Sequence, residues 1–323
     1  MTDPIAAIII GRNEGDRLPR GLASLQGVAR VIYVDSGSTD GSQDAALAAG
    51  AEVVALDMTR QFTAARARNA GLDHLRSTGS RPAFVQFMDG DCELQAGWLA
   101  AAAAVLEADA GLGVVFGRRR ERFPEATIYN RFCDWEWDVP VGEARSCGGD
   151  ALMRMDALDA IGGYNPGLIA GEEPEMCVRL RAAGWAIQRI DHEMTLHDAA
   201  MTRFGQFWSR ARRAGHAWAE GAYLHGARPE RHSVPEMRKA LIWGIAVPFM
   251  IFALALATGP IALVLLAVYP TRAIRFGLRE GGTAEAWERA LLLSIGKFPE
   301  ALGVVEFHVR RLVGRPRGLI EYK

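Results

Sequence analysis

The chain has 323 residues, of which 50% are hydrophobic and 23% are charged, and its formal net charge is −1. This composition provides a packed core, which excludes a disordered chain and predicts one large α/β domain with an appendage, or two domains. From residue 226 onward, 14 Lys and Arg face 8 Glu, so the C-terminal third is basic and indicates a nearby anionic surface.

The cysteines and the N-terminus indicate the compartment. Cys92, Cys133, Cys147 and Cys177 show no Cys-x-x-Cys spacing, which predicts neither a zinc knuckle nor a disulfide framework and fits a reducing cytoplasm. The N-terminal segment MTDPIAAIIIGRNE has an acidic residue where a signal peptide is basic, and its apolar run is short. The first two hundred residues or so are therefore expected on the cytoplasmic side.

Short runs rich in β-branched and aromatic residues alternate with helix-like segments in this region. They are IAAIII at 5–10, RVIYVD at 30–35, AEVVAL at 51–56 and AFVQFMD at 83–89. This alternation predicts a doubly wound sheet that is mainly parallel, with helices on both faces. Ligands bind such sheets beyond the carboxyl ends of the strands, so the segments after these runs are candidates for a site.

Those segments are polar: GRNEGDRLP, DSGSTDGS, MTRQFTAARARNAGL and DGDCEL. Neither a Gly-x-Gly-x-x-Gly motif nor a Walker loop occurs in the sequence, which argues against a dinucleotide dehydrogenase or a P-loop enzyme. Ser38, Thr39 and Asp40 in the second segment are ordinary helix-capping residues, whereas Asp35 is expected to face the ligand crevice.

The fourth run ends in two carboxyl groups, Asp89 and Asp91, separated by one glycine. Two hard oxygen ligands so close together can hold Mg²⁺ or Mn²⁺ against a diphosphate. Asp-x-Asp alone is a weak motif, because Asp-Gly is a common turn pair. Its position at the end of a predicted buried strand favours the metal-binding interpretation.

The segment ALIWGIAVPFMIFALALATGPIALVLLAVYPT, residues 240–271, carries no charge and is long enough to enter a bilayer. The part from Ala240 to Thr258 can cross as a helix, but the part after Pro260 has too few apolar residues to cross back. Basic residues on both sides favour a hairpin in one leaflet. The alternative is a buried helical hairpin of a soluble protein. One or two amphipathic helices with a basic end are predicted after it.

Six motifs in order make residues 5–200 resemble the family 2 glycosyltransferases of the GT-A fold. They are IIIGRNEGDRLPRGLASL, VIYVDSGSTDGS, ARARNAGL, FMDGDCEL, SCGGDALMRMDALDAIGGYNPGL and GEEPEMCVRLRAAGW. The resemblance implies a GT-A domain at 1–225, followed by a membrane-associated helical region at 226–323. It also implies inverting transfer of a sugar from a nucleotide diphosphate donor, with a divalent metal.

The resemblance also implies roles for four donor-site residues. Asn13 and Glu14 look like the donor-binding pair after the first strand. Asp35 resembles the carboxylate that receives the nucleotide base, and Arg68 resembles the basic residue that lines the donor site.

Metal and catalytic roles follow from the same resemblance. Asp91 matches the carboxylate that ligates the metal, and Asp89 matches the one nearer the ribose. Glu173 falls where the family has its general base, although the family commonly shows Glu-Asp where this chain has Glu172 and Glu173. The longer Glu side chain leaves open whether Glu172, Glu173 or Glu175 takes the proton.

Three further features have two interpretations. His197 is a candidate metal ligand, although a single histidine is more often structural and imidazole suits Mg²⁺ less than Zn²⁺. Trp135, Trp137, Asp138 and Asp150 are candidates for acceptor binding or for core packing. QFWSRARRAG has the wrong spacing for the Gln-x-x-Arg-Trp signature of processive synthases, which argues against a processive polymerase.

The sequence therefore predicts a hexosyltransferase at the cytoplasmic face of the inner membrane. Its donor is expected to be a UDP or GDP sugar, and its acceptor the hydroxyl of a glycan or lipid-linked molecule in cell-envelope or exopolysaccharide biosynthesis. No nucleic-acid partner is expected. The alternatives are a polyprenyl-phosphate sugar synthase, a nucleotidyltransferase, and a catalytically inactive membrane-associated binding protein.

Overall fold

The computed structural model describes residues 5–79 and 81–314. The chain divides into two compact units. The sheet unit comprises Met1–Arg122 and Asp134–Ala199, and the helical unit comprises Phe123–Cys133 and Ala200–Lys323. The expected domain boundary at residue 225 stays a prediction.

A mixed sheet forms the centre of the sheet unit. Its strands are β1 (Ile5–Gly11), β2 (Arg30–Asp35), β3 (Glu52–Ala55), β4 (Phe84–Asp89), β5 (Cys92–Leu94), β6 (Leu112–Glu121), β7 (Gly142–Glu143), β8 (Ala151–Arg154) and β9 (Ala186–His197). They are ordered β3-β2-β1-β4-β8-β6-β9-β5, and β7 also pairs with β9. β1 to β4 pair in parallel, as does β6 with β9, whereas β8 is antiparallel to both of its neighbours. The expected mainly parallel α/β sheet is confirmed.

Helices connect the strands and cover the sheet. They are α1 (Arg17–Ala23), α2 (Ser42–Ala48), α3 (Ala64–Ser77), α4 (Trp98–Ala108), α6 (Met155–Ile161) and α7 (Glu172–Ala182), whereas α5 (Ile128–Glu136) begins in the helical unit. The four strands predicted from the sequence are present, each with ends within one residue of those expected.

β1 lies between β2 and β4, and this register sets the position of the site. Gly11 is opposite Asp35 on one side, and Ile10 is opposite Asp89 on the other. Ile8 and Ile9 are completely buried, and burying such a side chain contributes about 1.5–3 kcal/mol. The core therefore fixes β1, and β1 holds Asp35 and Asp89 at the same edge of the sheet.

The approach of α1 to β5 requires a glycine. A Cβ atom at Gly21 would lie 2.6 Å from the backbone oxygen of Cys92, the residue after Asp91. We expect Gly21→Ala to lower the free energy of unfolding by about 1–3 kcal/mol, because a backbone atom must move. Chemical denaturation measures this change. Gly205→Ala is the matched control, since Gly205 is helical with open space around its Cβ position, and its stability should not fall. Equal effects of the two substitutions would contradict the close approach.

The helical unit contains the long apolar segment. Its helices are α8 (Phe204–His225), α9 (Val234–Leu241), α10 (Val247–Thr258), α11 (Val268–Arg279), α12 (Ala284–Ile295) and α13 (Lys297–Leu312). A π-helical turn at Ile242–Ala246 joins α9 to α10, and a 3-10 helix at Pro260–Ala267 precedes α11. α8 packs against α13 where Gly215 and Gly303 leave no room for a side chain.

Two continuous helices of this unit are long and apolar enough to cross a membrane by length and composition. Val234–Thr258 has 25 residues and includes an 18-residue stretch with a mean hydropathy of 2.4, and Pro260–Arg279 has 20 residues and includes such a stretch with a mean hydropathy of 1.5. Large apolar side chains on both are exposed, including Phe249 at 71%, Leu256 at 90% and Ile261 at 77%. The predicted pair of apolar helices after the α/β unit is confirmed.

The expectation that the part after Pro260 has too few apolar residues to cross was wrong, because the helix continues to Arg279 and Pro260–Arg279 is long and apolar enough by length and composition. The amphipathic helices predicted after this segment are α12 and α13. The basic end at 315–323 lies outside the described residues.

Candidate active site

The loops after β1 and β2 are fastened to each other through Asn13. Its backbone N–H donates to Ser38 Oγ at 2.9 Å, and its side-chain oxygen accepts from the Thr39 backbone N–H at 2.8 Å. Asn13 itself has a φ of 56°, a left-handed conformation that asparagine tolerates better than most residues. Asn13 therefore shapes the rim of the crevice, and its predicted contact with a donor stays a prediction.

Asp35 is 1% exposed, and both of its carboxylate oxygens accept hydrogen bonds. Oδ2 accepts from the Gly37 and Ser38 backbone N–H groups at 3.0 Å and from Gln43 Nε2 at 2.7 Å, and Oδ1 accepts from the Tyr33 hydroxyl at 3.1 Å. Burial raises the pKa of Asp35, but the hydrogen bonds from Ser38 and Gln43 outweigh it, and the net pKa is lowered. A carboxylate offers about four acceptor positions, so these four hydrogen bonds already use the acceptor capacity of Asp35.

This lowered pKa predicts an acid-sensitive contribution to stability. Because the pKa of Asp35 is lower in the folded state, its contribution is present above the unfolded-state pKa of about 3.9 and is lost as the pH falls through the lower folded value. We expect Asp35→Asn to be less stable than the wild type at neutral pH, with the difference shrinking below about pH 4. Unfolding midpoints across this pH range measure the effect. A difference that does not change with pH would contradict it.

Glu14, in the loop after β1, packs against the turn after β4. Its carboxylate lies 2.9 Å from Arg17 Nη2, and its Cγ lies 2.8 Å from where a Cβ of Gly90 would be. Gly90 separates the two aspartates that were predicted to bind metal. The structure thus places Glu14 beside this turn.

Arg68 links two carboxylates that are far apart in sequence. The side chain is 3% exposed, and its guanidinium donates to Asp89 Oδ1 at 2.8 Å and to Glu172 Oε1 at 3.0 Å. Burial alone would lower its pKa, but Asp89, Tyr164 and Glu172 raise it above the usual value, so the group is always charged. The fold therefore brings the end of β4 and the start of α7 together around one buried positive charge.

Arg119 on β6 is a second positive charge at Asp89, and the sequence analysis missed it. Its Nη2 lies 3.3 Å from Asp89 Oδ2, and its Nη1 lies 3.5 Å from Asp150 Oδ2. Arg118 and Arg120, its neighbours on the strand, both contact Asp134 instead. Side chains alternate along a strand, so a run of three arginines must place the middle one on the opposite face. That alternation is the signal that was available in the sequence.

Asp150 is a buried support for this arrangement. Its Oδ1 accepts from the Asp89 backbone N–H at 3.1 Å, and its Oδ2 accepts from the Thr195 hydroxyl at 2.9 Å and the Cys92 thiol at 3.3 Å. Its side chain is completely buried. These contacts favour the structural interpretation of Asp150 over acceptor binding.

Asp91 and His197 meet because β5 pairs with β9 in antiparallel register, with Cys92 opposite His197. His197 Nε2 lies 3.3 Å from Asp91 Oδ1, and the two side chains are 6% and 1% exposed. Burial lowers the pKa of His197, and the charge of Arg119 lowers it further, which favours the neutral imidazole that ligates metals. The rings of Trp137 and His197 pack nearly perpendicular to each other, with centroids 4.8 Å apart.

The charges and ligand types of this region fit a divalent cation. Asp89, Asp91, Asp150 and Glu172 carry four formal negative charges, and Arg68 and Arg119 carry two positive charges. Carboxylates therefore outnumber guanidinium groups among these six side chains. Carboxylate oxygens suit Mg²⁺ and Mn²⁺, and a neutral imidazole beside Asp91 can add a nitrogen ligand.

The three glutamates at the start of α7 have different partners. Glu175 binds Arg179 through both carboxylate oxygens, with Nε at 3.0 and 3.1 Å and Nη2 at 2.9 Å. Glu173 Oε1 accepts from the Cys147 backbone N–H at 2.6 Å and from the Cys177 thiol at 3.1 Å. Glu172 binds Arg68. Glu175 is thus occupied by an ion pair on its own helix, which leaves Glu172 and Glu173 as candidates for the base.

The predicted acceptor residues do not form one group. Asp138 is 56% exposed and pairs with Arg189 at 3.0 Å, whereas the guanidinium of Arg119 lies 4.8 Å from the centre of the Trp137 ring. Trp135 is partly buried. Of Trp135, Trp137 and Asp138, Trp137 has the most direct contact with the candidate site, through Arg119 and His197.

Comparisons with known proteins agree with this geometry. A family model described as Glycosyl transferase family 2 matches residues 6–159. An uncharacterized glycosyltransferase of Mycobacterium tuberculosis is 26% identical over 209 residues, which are 58% of this chain and 84% of that protein. The succinoglycan biosynthesis protein ExoA of Rhizobium meliloti is 24% identical over 264 residues, which are 77% of this chain and 76% of that protein.

Solved structures share the fold. The mannosyltransferase PcManGT of Pyrobaculum calidifontis, in complex with GDP-Man and Mn²⁺, aligns with a TM-score of 0.63 at 20% identity over 91% of this chain and 88% of that chain. Glucosyl-3-phosphoglycerate synthase of Mycobacterium tuberculosis, with Mn²⁺ and UDP-glucose, aligns with a TM-score of 0.51 at 16% identity over 68% of this chain and 78% of that chain. The family model covers just under half of the chain, and with the relatives it indicates a glycosyltransferase similar to those of family 2, whose fold the solved structures share.

Proposed function

We propose that this enzyme transfers a hexose, with inversion, from a nucleotide diphosphate donor to a hydroxyl group of a glycan or lipid-linked acceptor, using a divalent metal. The observation that carries the proposal is the linked cluster at the carboxyl edge of the sheet. There Arg68 joins Asp89 to Glu172, and Asp91 lies against His197. This is the edge at which sheets of this kind bind ligands.

The loops after β1, β2 and β4 bind the donor. Asp35 receives the nucleotide base by exchanging one of its present hydrogen bonds for one from the base, while Asn13 and Glu14 keep the neighbouring loop in place. Arg68 and Arg119 face the diphosphate. Their positive charges stabilise the nucleoside diphosphate as it leaves, in a site of low dielectric where such contacts are strong.

Asp91 is proposed to hold Mg²⁺ or Mn²⁺, with His197 and Asp89 as the further candidates. When bound, the cation neutralises the diphosphate leaving group. Asp91 and His197 are both buried and lie 3.3 Å apart, and this pairing of a carboxylate with an imidazole supports a cation site there. Mannosyltransferase PcManGT and glucosyl-3-phosphoglycerate synthase, which share the fold, were solved with Mn²⁺.

Glu173 is proposed as the general base. It takes the proton of the acceptor hydroxyl as that oxygen attacks the anomeric carbon from the face opposite the diphosphate. Glu172 is the less suitable candidate because it already neutralises Arg68 on the donor side. One displacement without a covalent intermediate inverts the anomeric carbon.

Membrane association at the cytoplasmic face is the proposed location. The two helices at Val234–Thr258 and Pro260–Arg279 expose large apolar side chains, and Arg238, Lys239 and Arg279 carry positive charge near their ends. Such basic residues favour the cytoplasmic side. The proposed domain boundary at residue 225 coincides with the end of α8, although α8 itself belongs to the helical unit. The name of the relative ExoA, a succinoglycan biosynthesis protein, supports a role in polysaccharide biosynthesis.

The polyprenyl-phosphate sugar synthase is the alternative that remains. The match to a glycosyltransferase family model argues against a nucleotidyltransferase and against an inactive binding protein. A polyprenyl-phosphate sugar synthase would use an ionised phosphate as acceptor and would need no base. Glu173→Gln separates the two candidates, because the substitution should leave a phosphate acceptor active and should stop transfer to a hydroxyl.

A transfer assay with the detergent-purified full chain tests the proposal. The protein is incubated with UDP and GDP hexoses, Mn²⁺ and a cell-envelope lipid extract, and the anomeric configuration of the product is determined by NMR. We expect transfer from one donor, with the configuration opposite to that of the donor. A product with the donor's configuration, or no transfer from any donor, would contradict the proposed reaction.

A further inference from the structure

Two buried cysteines flank the proposed base. Cys147 and Cys177 have their sulfurs 3.7 Å apart, and Cys177 Sγ lies 3.1 Å from Glu173 Oε1. All three ligand atoms lie within 4.8 Å of one another. Cys147 is on the loop before β8, whereas Glu173 and Cys177 are one helical turn apart on α7. Both cysteines are free thiols.

We propose that Cys147, Glu173 and Cys177 form a binding site for a thiophilic divalent cation such as Zn²⁺ or Cd²⁺, separate from the site at Asp91. Two zinc–sulfur bonds of about 2.3 Å at a tetrahedral angle place the sulfurs about 3.8 Å apart. The observed separation of 3.7 Å already matches that spacing. Two sulfurs and one carboxylate oxygen supply three of four tetrahedral positions, and solvent can supply the fourth.

The site distinguishes soft cations from hard ones. Mg²⁺ and Mn²⁺ prefer oxygen ligands, so they favour the carboxylates near Asp91 over two thiols. Zn²⁺ and Cd²⁺ prefer thiolate sulfur, so they favour Cys147 and Cys177. A cation can reach the cluster beside Glu173 and Cys147, which are 7% and 5% exposed, whereas Cys177 is completely buried.

Binding is balanced in charge and protons. Burial raises the pKa of both thiols, to about 11 for Cys177, so the metal-free protein holds both sulfurs protonated at neutral pH. Each sulfur loses its proton when it bonds to the cation, and two protons leave to solvent. The cation brings two positive charges as two protons depart, so the net charge of this buried cluster stays the same.

Occupancy of this site would stop transfer without emptying the donor site. The carboxylate of Glu173 would be bound to the cation and unable to accept the acceptor proton. Arg68 and Asp89 would remain available to the donor. This consequence rests on the proposed function, whereas the binding of the cation does not.

A cadmium titration of the full chain, kept reduced with a phosphine, tests the site itself. The expected result is an ultraviolet thiolate-to-cadmium absorption band that saturates at one cation per chain. Cys147→Ala and Cys177→Ala should each weaken binding by about tenfold or more, and Cys133→Ala should leave it unchanged. Absence of the band in the wild type would overturn the proposal. So would a band that persists in Cys147→Ala and Cys177→Ala but disappears in Cys92→Ala.

A second measurement does not depend on variants that fold poorly. Zn²⁺ should raise the unfolding temperature of the wild type, since ligand that binds only the folded state stabilises it. Zn²⁺ should also inhibit transfer in saturating Mn²⁺ while leaving donor affinity unchanged. If the cadmium band appears but Zn²⁺ leaves transfer activity unchanged, the cation site is supported and the role of Glu173 as base is overturned. Neither band nor stabilisation would overturn the cation site.

Discussion

Glu173→Gln is expected to lower kcat by about 10²-fold to 10⁴-fold, the usual contribution of a general base. The amide keeps the size of the side chain and can still accept from the Cys147 backbone N–H, but it cannot take a proton from the acceptor. Donor binding should remain within about twofold of the wild type, because the donor contacts are assigned to other residues. Steady-state kinetics with a hydroxyl acceptor and calorimetry with the nucleotide measure the two effects.

Two neighbouring variants make this prediction specific. Glu175→Gln removes an ion pair with Arg179 on the same helix and should lower stability while leaving kcat within a few fold. Glu172→Gln removes a partner of Arg68 and should weaken the donor site. A Glu172→Gln variant that loses kcat while Glu173→Gln keeps it would transfer the role of base to Glu172.

Among the substitutions proposed here, Arg68→Met is expected to lower the free energy of unfolding the most. It should also weaken donor binding. The substitution keeps the apolar part of the side chain but leaves Glu172, which is 13% exposed, without its partner Arg68. Breaking a buried ion pair in this way costs on the order of 3 kcal/mol. Asp89 is 29% exposed and keeps Arg119, so it contributes less to this loss. Chemical denaturation and nucleotide calorimetry measure both effects.

The control for Arg68 is an arginine in an exposed ion pair. Arg76, which is 35% exposed, contacts Asp159 at 2.7 Å, and Arg76→Met should cost only about 0.2–1 kcal/mol. Arg68→Lys should recover only part of the loss. Lysine restores the positive charge, but one ammonium group cannot reach both Asp89 and Glu172 as a planar guanidinium does. Equal destabilisation by Arg68→Met and Arg76→Met would contradict the structural role of Arg68.

The first half of the sheet could be predicted because it follows from local pattern. β1, β2 and β4 are short apolar runs whose carboxyl ends carry polar residues, and parallel strands place those ends at one edge. The proximity of Asp35 and Asp89 to one ligand crevice therefore follows from the sequence alone. The pairing of Glu175 with Arg179 follows in the same way, since residues four apart on a helix are neighbours.

The rest of the site depends on contacts between distant parts of the chain. β8 lies between β4 and β6, and β9 pairs with both β6 and β5, which no local pattern determines. These pairings bring Arg119 to Asp89 and His197 to Asp91. The contact of Cys147 with Glu173 also joins a loop to a helix 26 residues later. Strand order across the second half of a mixed sheet is set by packing, so these partners appear only in the folded chain.

The central claim is that Asp91 holds a metal that a nucleotide diphosphate donor requires. Calorimetry of the detergent-purified full chain with UDP and GDP, with and without Mn²⁺, tests it most directly when repeated on Asp91→Ala. We expect one nucleotide to bind only in the presence of Mn²⁺, and Asp91→Ala to abolish that binding. Failure of both nucleotides to bind under any metal condition, or binding that neither Mn²⁺ nor Asp91→Ala changes, would contradict the claim.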